Sequence, residues 1–152
     1  GSSFPILKIV TSKVLKNYKK NIQIIRGDWK KNLLTDEEIL AYYRDSKFVI
    51  VPLLDTMQPA GQSVCLQAMS CEKPVIMSKI SGIWDNNRLI HKENVFLVKP
   101  NDSSLLNNAI NELLRDKILQ KKLAKNGKEL VDQLYNVEIM SKQLKKYIDQ
   151  NL

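Results

Sequence analysis

The sequence predicts an α/β fold in which a parallel sheet is covered by helices on both faces. Three observations carry that expectation. Short apolar runs recur along the chain, amphipathic stretches alternate with them, and the runs are continuously apolar rather than alternating. Strands buried on both faces read this way.

The first run is Ile6-Leu7-Lys8-Ile9-Val10 and the second Ile22-Gln23-Ile24-Ile25, closed by Gly27. Thr35-Asp36-Glu37-Glu38 then has the form of a capping box, in which the Thr35 hydroxyl accepts the Glu38 amide while Glu38 reaches back. A helix should run from there to about Ser46. Asp36, Glu37 and Glu38 thus suit the positive end of a helix dipole rather than a catalytic pair. Phe48–Val51 and Pro74–Met77 are expected as central strands, with a short, mostly apolar helix over 63–71 between them. Val95–Val98 is a fifth strand, stopped by Pro100. Asn101-Asp102 opens a helix whose Leu105, Leu106, Ala109, Ile110, Leu113 and Leu114 fall at helical spacing. Two more amphipathic helices fill 117–134 and 137–150, broken near Tyr135-Asn136. His91 is expected in a surface loop, and Met57 and Met69 in packing roles.

A chain of 152 residues and 17.5 kDa fits one domain. With 43% hydrophobic and 26% charged residues, neither disorder nor a low-complexity class fits. No apolar run approaches the ~20 residues of a membrane-spanning helix. Gly1-Ser2-Ser3 lacks the basic and apolar segments of a secretory signal and reads as a cloning remnant, leaving 4–152 as the domain. Cys65 and Cys71 fall in one expected helix, about 9 Å apart at ~1.5 Å per residue, too far for a disulfide. Reduced thiols and a cytoplasmic location are the expectation. One histidine and two helical cysteines make a structural zinc site unexpected. The net charge of +8 divides into +7 over 1–35, −2 over 36–102 and +3 over 103–152. A basic end suits nucleic acid, an anionic membrane surface or a solvated face against another domain. With only Tyr18 and Trp29 among the lysines and no reading module, nucleic acid is not expected.

Parallel sheets bind ligands where loops leave the carboxyl ends of their strands. The most informative loop runs from Pro52 to Ser63. It ends in Gly61, which would let backbone approach a phosphate without a Cβ in the way, and a helix follows. Free amides and the dipole at that helix start make an anion site. Gln67 lies one turn beyond Ser63 and would face the same way, offering an amide to a pair of hydroxyls. The spacing equally suits a glycine that only turns and a serine that only caps.

Gln67-Ala68-Met69-Ser70-Cys71-Glu72-Lys73-Pro74-Val75-Ile76 resembles the "EAMACGKPVI" signature of GT-B glycosyltransferases of family four. Other segments match in order. Asn21–Gly27 is similar to "NVxFLG", Leu40–Pro52 to "LYxxSDVxVxP", Ser81-Gly82-Ile83-Trp84-Asp85 to "GGIxE", and Glu93–Asp102 to "xNGLLVxPxD". The resemblance covers about residues 6–150. It implies the C-terminal, Rossmann-like, nucleotide-sugar-binding domain of a two-domain enzyme, its first strand missing, with Ile6–Val10 matching the second.

Site residues follow from the resemblance. Backbone at Gly61, Gln62, Ser63 and Val64 would hold the donor diphosphate. Gln67 stands where a glutamate usually binds the ribose. Gly27, Asp28 and Trp29 would lodge the base, with Trp29 able to stack on it. Upstream of that ribose glutamate, with seven residues between the two, the family places another that contacts the sugar. Counting back from Gln67 reaches Pro59, so Gln58, or less readily Asp55, would take that contact. Lys13 could replace the basic residues of the missing first strand. No catalytic residue is assigned. The implied activity is transfer of a hexosyl group, with retention and without metal or other cofactor, from a nucleoside diphosphate sugar to a glycan or lipid-linked glycan. An N-terminal domain absent from this chain would hold that acceptor, so the fragment alone should be inactive. Polysaccharide or glycan biosynthesis, in the cytoplasm or peripherally at the inner membrane face, completes the expectation. The alternatives are a non-catalytic module of the same fold and a basic docking module built on residues 8–31.

Overall fold

The computed structural model describes residues 5–11, 16, 19–26 and 34–151. Its contacts divide the chain into two compact units, residues 1–40 and 41–152.

In the first unit, strands β1 (Leu7–Thr11) and β2 (Ile22–Arg26) pair in parallel, with Leu7 opposite Ile22 and Thr11 opposite Arg26. The Leu7 amide donates to the Asn21 carbonyl at 2.9 Å, which sets that register. Ile25 is buried, but Ile6, Leu7 and Val10 are exposed. The expected burial of this first run therefore fails. Among the described residues its sheet has two strands, which alone form no closed core. Helix α1 (Asp36–Asp45) starts on the expected capping box: the Glu38 amide donates to Thr35 Oγ1 at 3.2 Å, and the Thr35 amide to Glu38 Oε2 at 2.8 Å.

In the second unit, β3 (Val49–Val51), β4 (Val75–Ser78) and β5 (Phe96–Val98) form a parallel sheet in the order β3-β4-β5. Of the two strands expected to be central, only β4 is so placed; β3 flanks it. Every β4 residue is buried. Val75 and Met77 join a cluster with Cys65, Ala68 and Met69 of α2 (Gln62–Ser70) and Val131 of α4 (Lys117–Leu134). Ile76 joins another with Phe96, Val98, Ala109 and Leu113, the last two from α3 (Ser103–Arg115). Alternation along β4 thus sends successive side chains into two helical layers, as expected for helices on both faces. Each such fully buried side chain contributes about 1.5–3 kcal/mol.

Helix boundaries follow local chemistry. Asp102 and Asp116 cap α3 and α4, accepting from the amides of Leu105 at 2.9 Å and Leu119 at 2.8 Å. Asn136 fills the break before α5 (Val137–Asn151), its Oδ1 accepting from the Ile139 amide at 2.9 Å. Both cysteines are free, as expected from their spacing; Cys65 is buried and its thiol is pushed up to about 12 by desolvation, while Cys71 is half-buried. Among the described residues no helix is long and apolar enough to cross a membrane.

Candidate functional site

Because β3, β4 and β5 are parallel, their carboxyl ends share one rim, where open α/β sheets admit ligands. The loop after β3 is tied along that rim to the turn after β4. The Leu53 amide donates to Ser78 Oγ at 3.0 Å. Ser81 donates to Asp55 twice, from its amide at 2.8 Å and its hydroxyl at 3.2 Å. The Gly82 amide donates to the Thr56 carbonyl at 2.7 Å. A Cβ on Gly82 would stand 2.2 Å from the Met57 carbonyl oxygen, so the two backbones meet only because position 82 has no side chain. Asp55, the second choice for a sugar contact, has both carboxylate oxygens engaged by Ser81. Gln58 is exposed, with its backbone N–H donating to Thr56 Oγ1 at 3.1 Å.

The loop delivers the chain to α2 through Gly61, the N-cap, at φ 73° and ψ 0°. An added Cβ there would lie 2.8 Å from Val51 Cγ1 and 3.0 Å from Leu53 Cδ1. Left-handed backbone and close packing therefore require glycine at 61 whether or not a phosphate approaches. Ser63 is not the cap. No side chain caps α2 and its first turn holds no acid, so among the described residues the amides of Gln62, Ser63 and Val64 have no side-chain acceptor. The positive end of the helix dipole is uncompensated.

Gln67 lies one turn on and is exposed. Tyr43 of α1 donates its hydroxyl to Gln67 Oε1 at 3.1 Å, which leaves the amide NH2 as the free group. Burial, then the neighbouring Cys71 and Cys65 thiols, raise the Tyr43 pKa, so the phenol remains a donor at neutral pH. Sequence reading missed Tyr43 as a partner, although it is the tyrosine of the "LYxxS" match. Gly27, Asp28, Trp29 and Lys13 lie outside the described residues, as does part of the basic stretch 8–31.

Asp85, the acidic position of the turn after β4, faces the end of α4. Tyr135 donates its hydroxyl to Asp85 Oδ2, and Arg88 pairs with the same oxygen at 3.0 Å. Burial opposes ionisation of Asp85, but the bonds from Tyr135 and Arg88 outweigh it and hold the carboxyl below its usual range. Burial, and the partnership with Asp85, push Tyr135 up to about 12. Trp84 packs edge-on against Tyr135 with ring centroids 5.3 Å apart, and its buried indole N–H has no partner among the described residues. Asp85 is thus a fastener between turn and helix.

His91 is exposed, as expected, yet held in place. Its Nδ1 accepts the Leu97 amide at 3.1 Å and its ring stands edge-on to Phe96 at 5.0 Å. Nε2 therefore carries the proton. Burial, Lys92 and, more weakly, Lys79 lower its pKa, against an opposing effect of Glu112.

The family described as glycosyl transferases group 1 matches residues 12–130. This chain belongs to that family. The group 1 domain is 27% identical over 124 residues to an uncharacterized glycosyltransferase of Methanocaldococcus jannaschii, covering 82% of this chain and 32% of that protein. It resembles sucrose-phosphate synthase of Thermosynechococcus elongatus, with a TM-score of 0.67, 30% identity, and coverage of 86% of this chain and 30% of that one. HepE of Anabaena, solved in complex with UDP-glucose, shares the fold at a TM-score of 0.68 and 22% identity, over 87% of this chain and 33% of that one. The Rossmann-like α/β fold is thus that of GT-B glycosyltransferases. The chain spans about a third of the length of these relatives.

Two outcomes follow from this geometry. Gly82→Ala should destabilise the second unit by about 1–3 kcal/mol or more in urea unfolding, because its Cβ meets backbone that a rotamer change cannot move. For His91, the unfolded chain binds its proton more readily than the folded one. Stability contributed by neutral His91 should be present above pH ~6.5 and decline as pH falls through the lowered folded value. Any advantage in thermal midpoint of the protein over His91→Gln should accordingly shrink below pH ~6.5, with the protein losing more.

Proposed function

We propose that this group 1 domain binds the nucleoside diphosphate sugar donor of a glycosyltransferase. The observation that carries the reading is the uncapped start of α2 on the rim of the β3-β4-β5 sheet, in a chain of this family. Amides of Gln62, Ser63 and Val64, with Gly61 before them, would receive the diphosphate, where a bound anion offsets the dipole. UDP-glucose in HepE supports a nucleoside diphosphate sugar as the ligand class. Gln67 would meet the ribose. With Oε1 held by Tyr43, the amide would present its NH2 and donate to a ribose hydroxyl oxygen, whereas a glutamate would accept from it. Gly27, Asp28 and Trp29 would take the base, and Gln58 the sugar.

Chemistry at that sugar would be hexosyl transfer with retention, without metal or another cofactor. An N-terminal domain would bring the glycan or lipid-linked acceptor, consistent with relatives about three times longer. Glycan synthesis in the cytoplasm, or peripherally at a membrane, completes this reading. Pro59 and Gln67, in place of paired glutamates, favour one alternative, a non-catalytic nucleotide-sugar-binding module. Sugar transfer by the full-length protein distinguishes the two.

The test on this chain is a titration with UDP-glucose followed by amide resonances. Shifts should begin at Gln62–Val64, and Gln67→Ala should weaken binding by about 1–3 kcal/mol. Tyr43→Phe should cost less, about 0.5–1.5 kcal/mol, since it releases the amide without removing it. Gln67→Glu should be tolerated. Unmoved Gln62–Val64 resonances with millimolar UDP-, GDP- and ADP-sugars would overturn the reading. Gly61 variants are unsuitable probes, because packing against Val51 and Leu53 fails first.

A further inference from the structure

Beyond the α2 start, the same rim carries an open groove of about 560 Å³ at the ends of β4 and β5. Its polar lining is Lys79, Asn86, His91 and Lys99, with Leu97 and Pro100 among its apolar walls, and it includes no carboxylate. We propose that this groove is a second anion subsite, which takes a phosphate group through the Lys79 and Lys99 ammoniums, the Asn86 amide and the His91 Nε2–H.

The groove is built by backbone. The Lys79 amide donates to the Val98 carbonyl at 2.7 Å, which places the start of one lysine beside the end of β5. His91 makes an isolated parallel bridge with Val95, and its ring is fixed by the Leu97 amide on Nδ1 and by Phe96. With Nδ1 taken, Nε2 is a donor. Several other lysines of this unit pair with a carboxylate: Lys92 with Glu112 at 2.5 Å, Lys122 with Glu93 at 2.6 Å and Lys128 with Asp132 at 2.7 Å. Among the described residues the Lys79 and Lys99 ammoniums and the Asn86 side chain have none. Glu112, the acid that acts on His91, is already neutralised by Lys92. Burial first, then Lys92 and more weakly Lys79, disfavour protonation of His91. Two unpaired ammoniums, an amide and a fixed imidazole N–H are all donors, and several donors converging on one multi-oxygen acceptor suit a phosphate better than a halide. The subsite lies on the β5 side of β4, whereas β3, on the other side, feeds α2.

The test titrates the 152-residue chain with inorganic phosphate against sodium chloride at matched ionic strength, following amide shifts and the His91 ring. Phosphate should move Lys79, His91, Leu97 and Lys99 saturably and raise the His91 titration midpoint by about one pH unit, since a bound anion favours imidazolium. Lys79→Ala should raise the midpoint without phosphate and weaken the phosphate response about fivefold, as should Lys99→Ala for the response. Both residues are exposed, so circular dichroism should be unchanged. Equal effects of chloride and phosphate, or an unaltered response in the Lys79→Ala/Lys99→Ala protein, would overturn the proposal. Vesicles of phosphatidylcholine with and without phosphatidic acid separate the sources. Phosphatidic-acid-dependent sedimentation lost in the double variant supports a lipid phosphate, while a phosphate response without sedimentation supports a soluble phosphomonoester.

Discussion

Every residue of β4 is buried, and the rest of the second unit is arranged around that fact. A strand without a solvent face must be covered twice. Val75 and Met77 draw α2 and α4 to one side, and Ile76 draws α3 to the other. With both faces closed, solutes reach the sheet only at its ends. Its carboxyl end is where the informative loops emerge, so burial and the location of chemistry are one constraint.

That rim is organised by polar contacts between segments far apart in sequence. Ser78 holds Leu53, Asp55 holds Ser81, and Thr56 holds Gly82. None touches the start of α2, yet together they set the path of the loop that ends in Gly61. The bare backbone at Gly82 is as necessary to this path as any side chain. Asp85 and Tyr135 then fasten the other side of the same turn to the end of α4. The candidate donor site thus rests on a scaffold of turns anchored from both directions.

Much of the fold was legible because its signals are local. A capping box at Thr35, aspartates at 102 and 116 and breakers at Pro52 and Pro100 act within a few residues, and continuous apolar runs announced the β4 environment. The exposure of Leu7 and Val10 was not legible, because burial of an apolar run depends on how many strands join it. Gly61 and Gln67 were found from spacing and resemblance, but not the reason position 61 must be glycine, which lies in Val51 and Leu53. Nor could sequence show that Gln67 has its oxygen occupied. Tyr43 is 24 positions away, and a hydrogen bond between two helices leaves no periodic trace.

The two thiols of α2 differ in a way that is useful for experiment. Cys65 sits in the core with its Sγ 3.9 Å from the Met69 sulfur, and burial keeps it protonated far above neutral pH. Cys71 closes the same helix and is half-buried. An alkylating reagent therefore meets two chemically distinct groups on one rigid rod, and only Cys71 reacts while the core is intact. A fluorophore attached there would sit at the opposite end of α2 from the candidate phosphate site, reporting on the helix from a position that ligand does not touch. Modification of Cys65 would in turn mark the moment at which the sheet and its helical cover come apart.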